Sequence, residues 1–304
     1  MTAITSSPEV DDHPSKAATP GWQILLVLSA LMGFASISTD FYLPAMPAIE
    51  QAFRASPGAV ELTISGYLIG FSLGQLFWGP IGDRFGRRLP VAIGLVLFII
   101  GSAGCAFAGD VVSMIGWRIV QALGACAAVV LARAMVRDLY EGPRAAQMLS
   151  TLMTVMAIAP LVAPLLGGQI LALAGWQAIF LTLVAIGTVI LVALFTLPET
   201  LPSARRSQEP LSRAIGQYGL LLKDRKLVAY VLTGGFYYLA TYAFIAGTPF
   251  AYISYYQVPA SLYGLLFGSG IVAIMIFNTI NARLVVRLGI TRMMRLGTLL
   301  AATA

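Results

Sequence analysis

Eight apolar runs of about 18 to 25 residues, at 21–43, 60–80, 89–108, 112–136, 146–172, 177–197, 228–252 and 261–282, constrain this chain more than any other feature. A helix rises about 1.5 Å per residue, so each run is long enough to cross about 30 Å of hydrocarbon. In lipid a backbone must satisfy its own hydrogen bonds, and runs of this length do so as helices. Composition agrees, since 58% of the 304 residues are hydrophobic, 11% are charged and mean hydropathy is +0.84. The expected class is an all-α multi-spanning membrane protein whose main solvent is the lipid bilayer. The eighth run closes at Asn281, and another begins at Leu296 and reaches only Ala304, too short to cross a membrane. The chain therefore reads as C-terminally truncated, with eight to nine helices.

The basic residues fall on one side of these spans. With the N-terminus inside, the inner connections carry Lys16; Arg84, Arg87 and Arg88; Arg133, Arg137 and Arg144; Arg205, Arg206, Arg213, Lys223, Arg225 and Lys226; and Arg283, Arg287, Arg292 and Arg295, out of 19 Lys and Arg in all. Only Arg54 lies in an outer connection and only Arg118 within a span. This asymmetry predicts a cytoplasmic N-terminus and a multi-pass protein of the cell inner membrane. It also explains the net charge of +6 without nucleic acid. The expected organisation is a disordered cytoplasmic tail over 1–20, a six-helix bundle over 21–197, a cytoplasmic linker over 198–226 and a partial second bundle over 227–304 with helices 7, 8 and the start of 9. A degenerate repeat supports that division: aligning Gly289 with Gly86 sets Arg287 against Arg84, with Val286 opposite Asp83 and Ile290–Thr291 opposite Arg87–Arg88.

The stretch Tyr67–Arg88, YLIGFSLGQLFWGPIGDRFGRR, carries the densest signal. Gly66, Gly70 and Gly74 recur every fourth residue, the spacing that lets two helix backbones approach closely in lipid. A break is expected at Gly79–Pro80, delivering Asp83, Arg84, Arg87 and Arg88 into a tight turn at the membrane surface. The run Gly79 to Arg88 closely resembles the loop between helices 2 and 3 of the major facilitator superfamily, G-x-L-x-D-R-x-G-R-R/K. That resemblance implies a fold of two six-helix bundles and a conformational gating loop comprising Gly79, Asp83, Arg84, Gly86, Arg87 and Arg88. The arginines also fit plain positive-inside anchors, whereas Asp83 does little for topology and sits as if paired.

Four further places carry chemistry. Arg118, inside the fourth span, is costly there unless it faces water or a carboxylate, which makes it a functional candidate; snorkelling to the outer surface is the alternative. Gln121 is one turn on and could share its site. The run Arg118–Gly124 resembles the superfamily's helix-4 motif, R-x-x-Q-G-x-G, with Ala122 in place of a glycine. Asp40 is the only acid in the first span. A carboxyl group in a low-dielectric cavity can exchange a proton near neutral pH where a surface Asp cannot, unless Asp40 merely marks the outer helix end. The run Ala159–Gly168 resembles the antiporter motif G-x-x-x-G-P-x-x-G-G, with Pro164, Gly167 and Gly168 matching; a Pro-kinked packing helix is the alternative. In the seventh span Tyr237, Tyr238 and Tyr242, with Tyr42 and Gln121, are candidates for a substrate cavity, because aromatic walls tolerate flat lipophilic ligands of varied shape; lipid-facing or core aromatics are the bland reading.

Together with Ser38–Pro47, these motifs resemble the drug:proton antiporters of the bicyclomycin and chloramphenicol resistance subfamily. The resemblance implies efflux of small lipophilic molecules by alternating access, coupled to protons through Asp40 and Arg118 and driven by the proton gradient with no cofactor. A monomer is expected. A transporter of a metabolite, or a truncated product without transport, are the alternatives. No Walker loop, zinc motif or nucleophile elbow appears, so neither ATP-driven transport nor enzymatic activity has residues to stand on, and no metal is expected. Cys105 and Cys126 lie in apolar runs without metal-ligand companions and read as packing residues.

Overall fold

The structure is a computed structural model that describes residues 21–210, 213, 216, 218, 219 and 221–303. The expected disordered tail over 1–20 and six positions of the expected linker lie outside the described residues. The chain is built of helices: α1 (Gly21–Asp40), a 3-10 turn (Leu43–Ala45), α2 (Met46–Phe53), α3 (Pro57–Phe85), α4 (Arg88–Ala106), α5 (Val111–Leu139), α6 (Gly142–Ala174), α7 (Trp176–Leu194), α8 (Arg225–Pro249), α9 (Ala260–Leu288) and α10 (Ile290–Thr303). Eight of the helical stretches are long and apolar enough to cross a membrane. Exposed Leu62, Ile69, Leu73 and Leu76 along α3 present the apolar outer surface such a helix shows to lipid.

Helix ends follow side-chain chemistry. Asp110 caps α5 by accepting hydrogen bonds from the amides of Val112 (2.8 Å) and Ser113 (2.9 Å), and those bonds hold its carboxyl below the usual carboxylate range. Asp224 caps α8 through the Lys226 amide at 2.9 Å. Pro44 and Pro47 end the first apolar run as a straight helix: α1 stops at Asp40, and the chain turns through Leu43–Ala45 into the short α2.

The expected break at Gly79–Pro80 does not occur. α3 runs through Pro80 to Phe85, so Asp83 and Arg84 sit on its last turn and only Gly86 and Arg87 form the connection to α4. Pro80 lacks the amide that would bond the Leu76 carbonyl, and that carbonyl instead accepts from the Tyr218 hydroxyl at 3.4 Å. The last helix starts at Ile290, directly after Gly289, rather than at Leu296. Gly86 and Gly289 both take positive φ (91° and 78°) after helices of 29 residues, so the two aligned glycines end equivalent helices.

Packing relies on small residues, because lipid offers helices no hydrophobic drive to associate. α3 lies on α5 through its glycine row: a Cβ at Gly70 would collide with the Ile119 carbonyl, and one at Gly74 with Cys126. α4 meets α5 where Gly94 faces Ala127 and Gly124 faces the Gly94 carbonyl and Phe98. The antiporter-like run of α6 also approaches its neighbours to backbone contact. A Cβ at Gly167 would strike the Phe41 carbonyl, one at Gly168 the Ala260 carbonyl, and one at Gly264 the Leu165 amide. α6 is thereby held against both the end of α1 and the start of α9.

Candidate functional site

A cavity of about 740 Å³ lies between α1, α3, α5, α6, α8 and α9. Its walls are Phe71, Phe267, Tyr67, Tyr238 and Tyr242, with aliphatic Leu68, Val129, Met156, Leu239, Ile245 and Ile271. Into this apolar space open one carboxylate, Asp40, and one cation, Arg133, with Ser36, Thr39, Ser72 and Gln75 as the remaining polar side chains of its lining. Asp40 is buried, 7% exposed, and among the described residues it makes neither an ion pair nor a side-chain hydrogen bond within the protein. The cavity reaches from Asp40 toward the basic end of the bundle, where Gln75, Arg133 and Gly235 line it, and is closed at the other end by the Gly167–Gly168 contacts of α6 with α1 and α9.

The candidate cavity residues divide. Tyr238 and Tyr242, one helical turn apart on α8, line the cavity. Tyr237 does not; it lies on the adjacent face of α8, 67% exposed, edge-on to Tyr238 at 5.8 Å between ring centroids. Tyr42 and Gln121 are fully buried within the bundle, away from the cavity. Their partner is Arg118. It does not snorkel: it is fully buried, donates from Nη1 to the Gln121 side-chain oxygen (2.6 Å) and the Ser38 carbonyl (3.2 Å), and lies sandwiched between the rings of Tyr42 (4.6 Å) and Tyr67 (4.4 Å). Gln121 passes the chain on to the Ser102 hydroxyl at 2.8 Å. No carboxylate among the described residues pairs with Arg118, and its Nε and Nη2 have no hydrogen-bond partner. The expected pairing with Asp40 is thus absent in this conformation. The two are linked instead through α1: Arg118 holds the Ser38 carbonyl, two residues before Asp40, and Tyr67 both covers Arg118 and bonds the Ser38 hydroxyl at 2.5 Å.

At the basic end, Arg87 is the hub. Its guanidinium, 7% exposed, bonds Asp83 at 2.7 Å and Asp138 at 2.8 Å, tying α3 to the last turn of α5. Burial alone would lower the Arg87 pKa, but the bonds and charges of Asp138 and Asp83 outweigh it and raise the value above that of an ordinary arginine. Glu199, just beyond α7, accepts from the amides of Arg87 (2.8 Å) and Arg88 (3.1 Å), placing a carboxylate on the N-terminus of α4. Gly86 has no room for a Cβ beside that carboxylate. Arg206 approaches Glu199 at 4.0 Å, the Ser207 amide donates to the Asp83 carbonyl at 2.8 Å, and Arg84 donates to the Glu209 carbonyl at 3.4 Å. Arg88 lies over the Phe195 ring at 4.8 Å. Gly79 has open space around it.

Sequence reasoning passed over Arg133, Gln75, Asp138 and Glu199. Arg133, which charge asymmetry groups with the inner-connection arginines, sits within α5 near the inner end of the 112–136 run, on the cavity wall. Asp138 and Glu199 each stand at the polar margin just past an apolar run, a faint signal beside the Asp83–Arg88 cluster they complete.

The profile of the Major Facilitator Superfamily matches residues 22–304. The chain is 39% identical over 251 residues to an uncharacterized MFS-type transporter, YdgK, of Bacillus subtilis, covering 80% of this chain and 62% of that protein. It is 30% identical over 273 residues to a bicyclomycin resistance protein homolog of Haemophilus influenzae, covering 90% of this chain and 69% of that protein. Among solved structures, a bacterial homolog of the human lysosomal transporter Spinster, inward-facing and occupied, superposes with a TM-score of 0.73 at 18% identity over 91% of this chain and 63% of that one. The chain thus spans about two thirds of the length of these relatives. With eight helices among the described residues long and apolar enough to cross a membrane, six of them lining the cavity, and a family match along nearly its whole length, the chain belongs to the Major Facilitator Superfamily of transporters.

Proposed function

We propose that this protein exports small lipophilic molecules in exchange for protons, by alternating access of the cavity between α1, α3, α5, α6, α8 and α9 to the two membrane faces. The observation that carries the reading is Asp40, the one carboxylate on the lining of an aromatic cavity of about 740 Å³. A carboxyl group without a partner in the protein, facing a space that also receives the cargo, can hold a proton or yield to a ligand but is poorly disposed to do both at once. Competition of that kind is what exchange requires. The apolar and aromatic lining suits flat lipophilic cargo, and the likeness to a bicyclomycin resistance protein homolog supports a drug or drug-like substrate. The loops rich in Arg and Lys lie on the cytoplasmic side, so the N-terminus is inside and the protein sits in the inner membrane.

The two-bundle organisation follows from the same reading: residues 21–197 form the first bundle, 198–226 the linker, and 227–304 the first helices of the second. Arg118 senses the position of α1 through the Ser38 carbonyl, and a shift of α1 that brings Asp40 toward the two free guanidinium nitrogens favours the ionised carboxylate and releases the proton. The Asp83–Arg87–Asp138 cluster, capped by Glu199, is the rigid plate against which the second bundle closes the basic end in the opposite state. The test is Asp40→Asn in proteoliposomes with an imposed proton gradient. It is expected to reach the membrane at normal levels and to lose proton-driven export of a lipophilic dye entirely. Export by the Asn variant at the unsubstituted rate would refute the assignment.

A further inference from the structure

The second charge in the cavity has no use in proton exchange as described. Arg133 lies on α5, 15 positions past Arg118, which at about 1.5 Å per residue sets it about 22 Å further toward the basic end. It lines the same cavity as Asp40 but at the opposite end, and the same lining includes Gln75 and Ser72 of α3 among its polar residues and Val129 and Met156 among its apolar ones. Of the other cations at that end, Arg87 is paired by Asp83 and Asp138 and Arg206 approaches Glu199, while Arg88, whose Nε is buried without a hydrogen-bond partner, donates to the Phe195 carbonyl and lies over its ring. Arg133 has no acid within 4.0 Å among the described residues, and its Nε is buried without a hydrogen-bond partner. A simple positive-inside anchor would turn its whole guanidinium to water. This one keeps part of its fork inside, on a lining that also carries the Gln75 amide and the Ser72 hydroxyl, with no acid paired to it among the described residues.

We propose that Arg133, with Gln75 and Ser72, forms a subsite that takes an anionic group of the cargo, so that the transporter's preferred ligands are amphiphilic organic acids or zwitterions rather than neutral or cationic lipophiles. The guanidinium fork matches a carboxylate in plane, and its direct hydrogen bonds to an ion are about twice as strong as those between neutral groups. The apolar body of the ligand then lies along Phe71, Met156 and Tyr238 toward Asp40. Separating the anion subsite from Asp40 by the length of the cavity spares the ligand's negative charge from the acid. This inference rests on the exporter reading only in taking the cavity as the cargo site.

The full chain is reconstituted in phosphatidylcholine nanodiscs, and binding of 2-naphthylacetate and of its methyl ester is measured by titration, for the protein itself, Arg133→Gln and Arg133→Lys. The acid is expected to bind about tenfold more tightly than the ester, the Gln variant to lose that preference while binding the ester unchanged, and the Lys variant to keep part of it. Ester and acid bound equally by the unsubstituted protein would overturn the anion subsite and leave the exporter reading intact. Binding of neither by folded protein would overturn both. Equal weakening of both ligands in Arg133→Gln would make Arg133 structural and overturn the proposal. Repeating the titration with phosphatidylglycerol in the nanodisc decides the source of the anion: an unchanged acid preference supports cargo, and its loss would overturn cargo in favour of a lipid headgroup.

Discussion

Arg118 shows how a single residue can be conspicuous in a sequence and still be misplaced by it. An arginine among apolar neighbours announces a functional or costly position, at roughly 2.5 to 3.5 kcal/mol on insertion scales. What offsets that cost was sought in a carboxylate, and the structure supplies instead two tyrosine faces, one carbonyl and one amide oxygen. Tyr42 and Gln121, expected on the cavity, are there to hold this guanidinium; sequence could link Gln121 to it by spacing along α5, but not Tyr42, in the turn after α1, or Tyr67, on α3. Arg118→Lys keeps the charge and loses the planar stack and fork, removing charge-assisted bonds worth about 1.5–3 kcal/mol each. It is expected to insert normally and to cut proton-coupled export by at least about tenfold, since 1.4 kcal/mol is a factor of ten. Normal coupling ratios in vesicles carrying this variant would show that Arg118 does not report the position of α1.

The helices themselves were largely legible, since each is a long apolar run with polar ends, but their ends and close contacts were not. Several runs proved to continue past their apolar part where a cap or a charged turn extends them, as α5 does to Leu139 and α3 does through Pro80, whereas α1, α4 and α7 stop two or three residues short. Along α3 the glycines now separate by environment. Gly70→Ala is expected to destabilise by about 1–3 kcal/mol because its Cβ meets the Ile119 carbonyl, which cannot move aside. Gly79→Ala, whose Cβ meets nothing beyond its chain neighbours, is expected to stay within about 1 kcal/mol of neutral, the gain in helix propensity being offset by crowding against the Pro80 ring. Thermal melting in detergent compares the two, and equal melting points would contradict the packing described. At α4 the same measurement tests its cap: Glu199→Ala is expected to cost about 1 kcal/mol, and Glu199→Gln less, because the amide oxygen still accepts from the Arg87 and Arg88 amides. An equal loss in the two variants would mean that the charge matters more than the hydrogen bonds.

For the whole molecule the decisive contact is that of α6 with α1 and α9 at Gly167, Gly168 and Gly264, which closes the cavity at the end away from the charged cluster. Reagents should therefore reach the cavity from the basic face. Ser72→Cys, on the cavity lining, gives a clean report because Cys105 and Cys126 are both fully buried. A membrane-impermeant maleimide is expected to label it at least about tenfold faster from the face bearing Asp83 than from the other, the ratio set by how far the population favours this conformation. Faster labelling from the opposite face would refute the closure.

What the sequence determined by itself is whatever depends on local pattern: the number and type of spans from run length, one-sided charge from the positions of Arg and Lys, and the family from motifs short enough to be read along one helix or loop. The tertiary structure alone decided which side chains share a space. A helix turns about 100° per residue, so facing a cavity or facing lipid is a matter of which neighbour covers each side, and in an all-apolar helix no polar face marks the difference. That is why Tyr238 lines the cavity while the adjacent Tyr237 does not, and why Arg133, counted as one more inner arginine, came to stand opposite Asp40. Pairings between residues far apart in the chain, Arg87 with Asp138 and Glu199 with the start of α4, exist only once small residues have let the helices close to backbone contact.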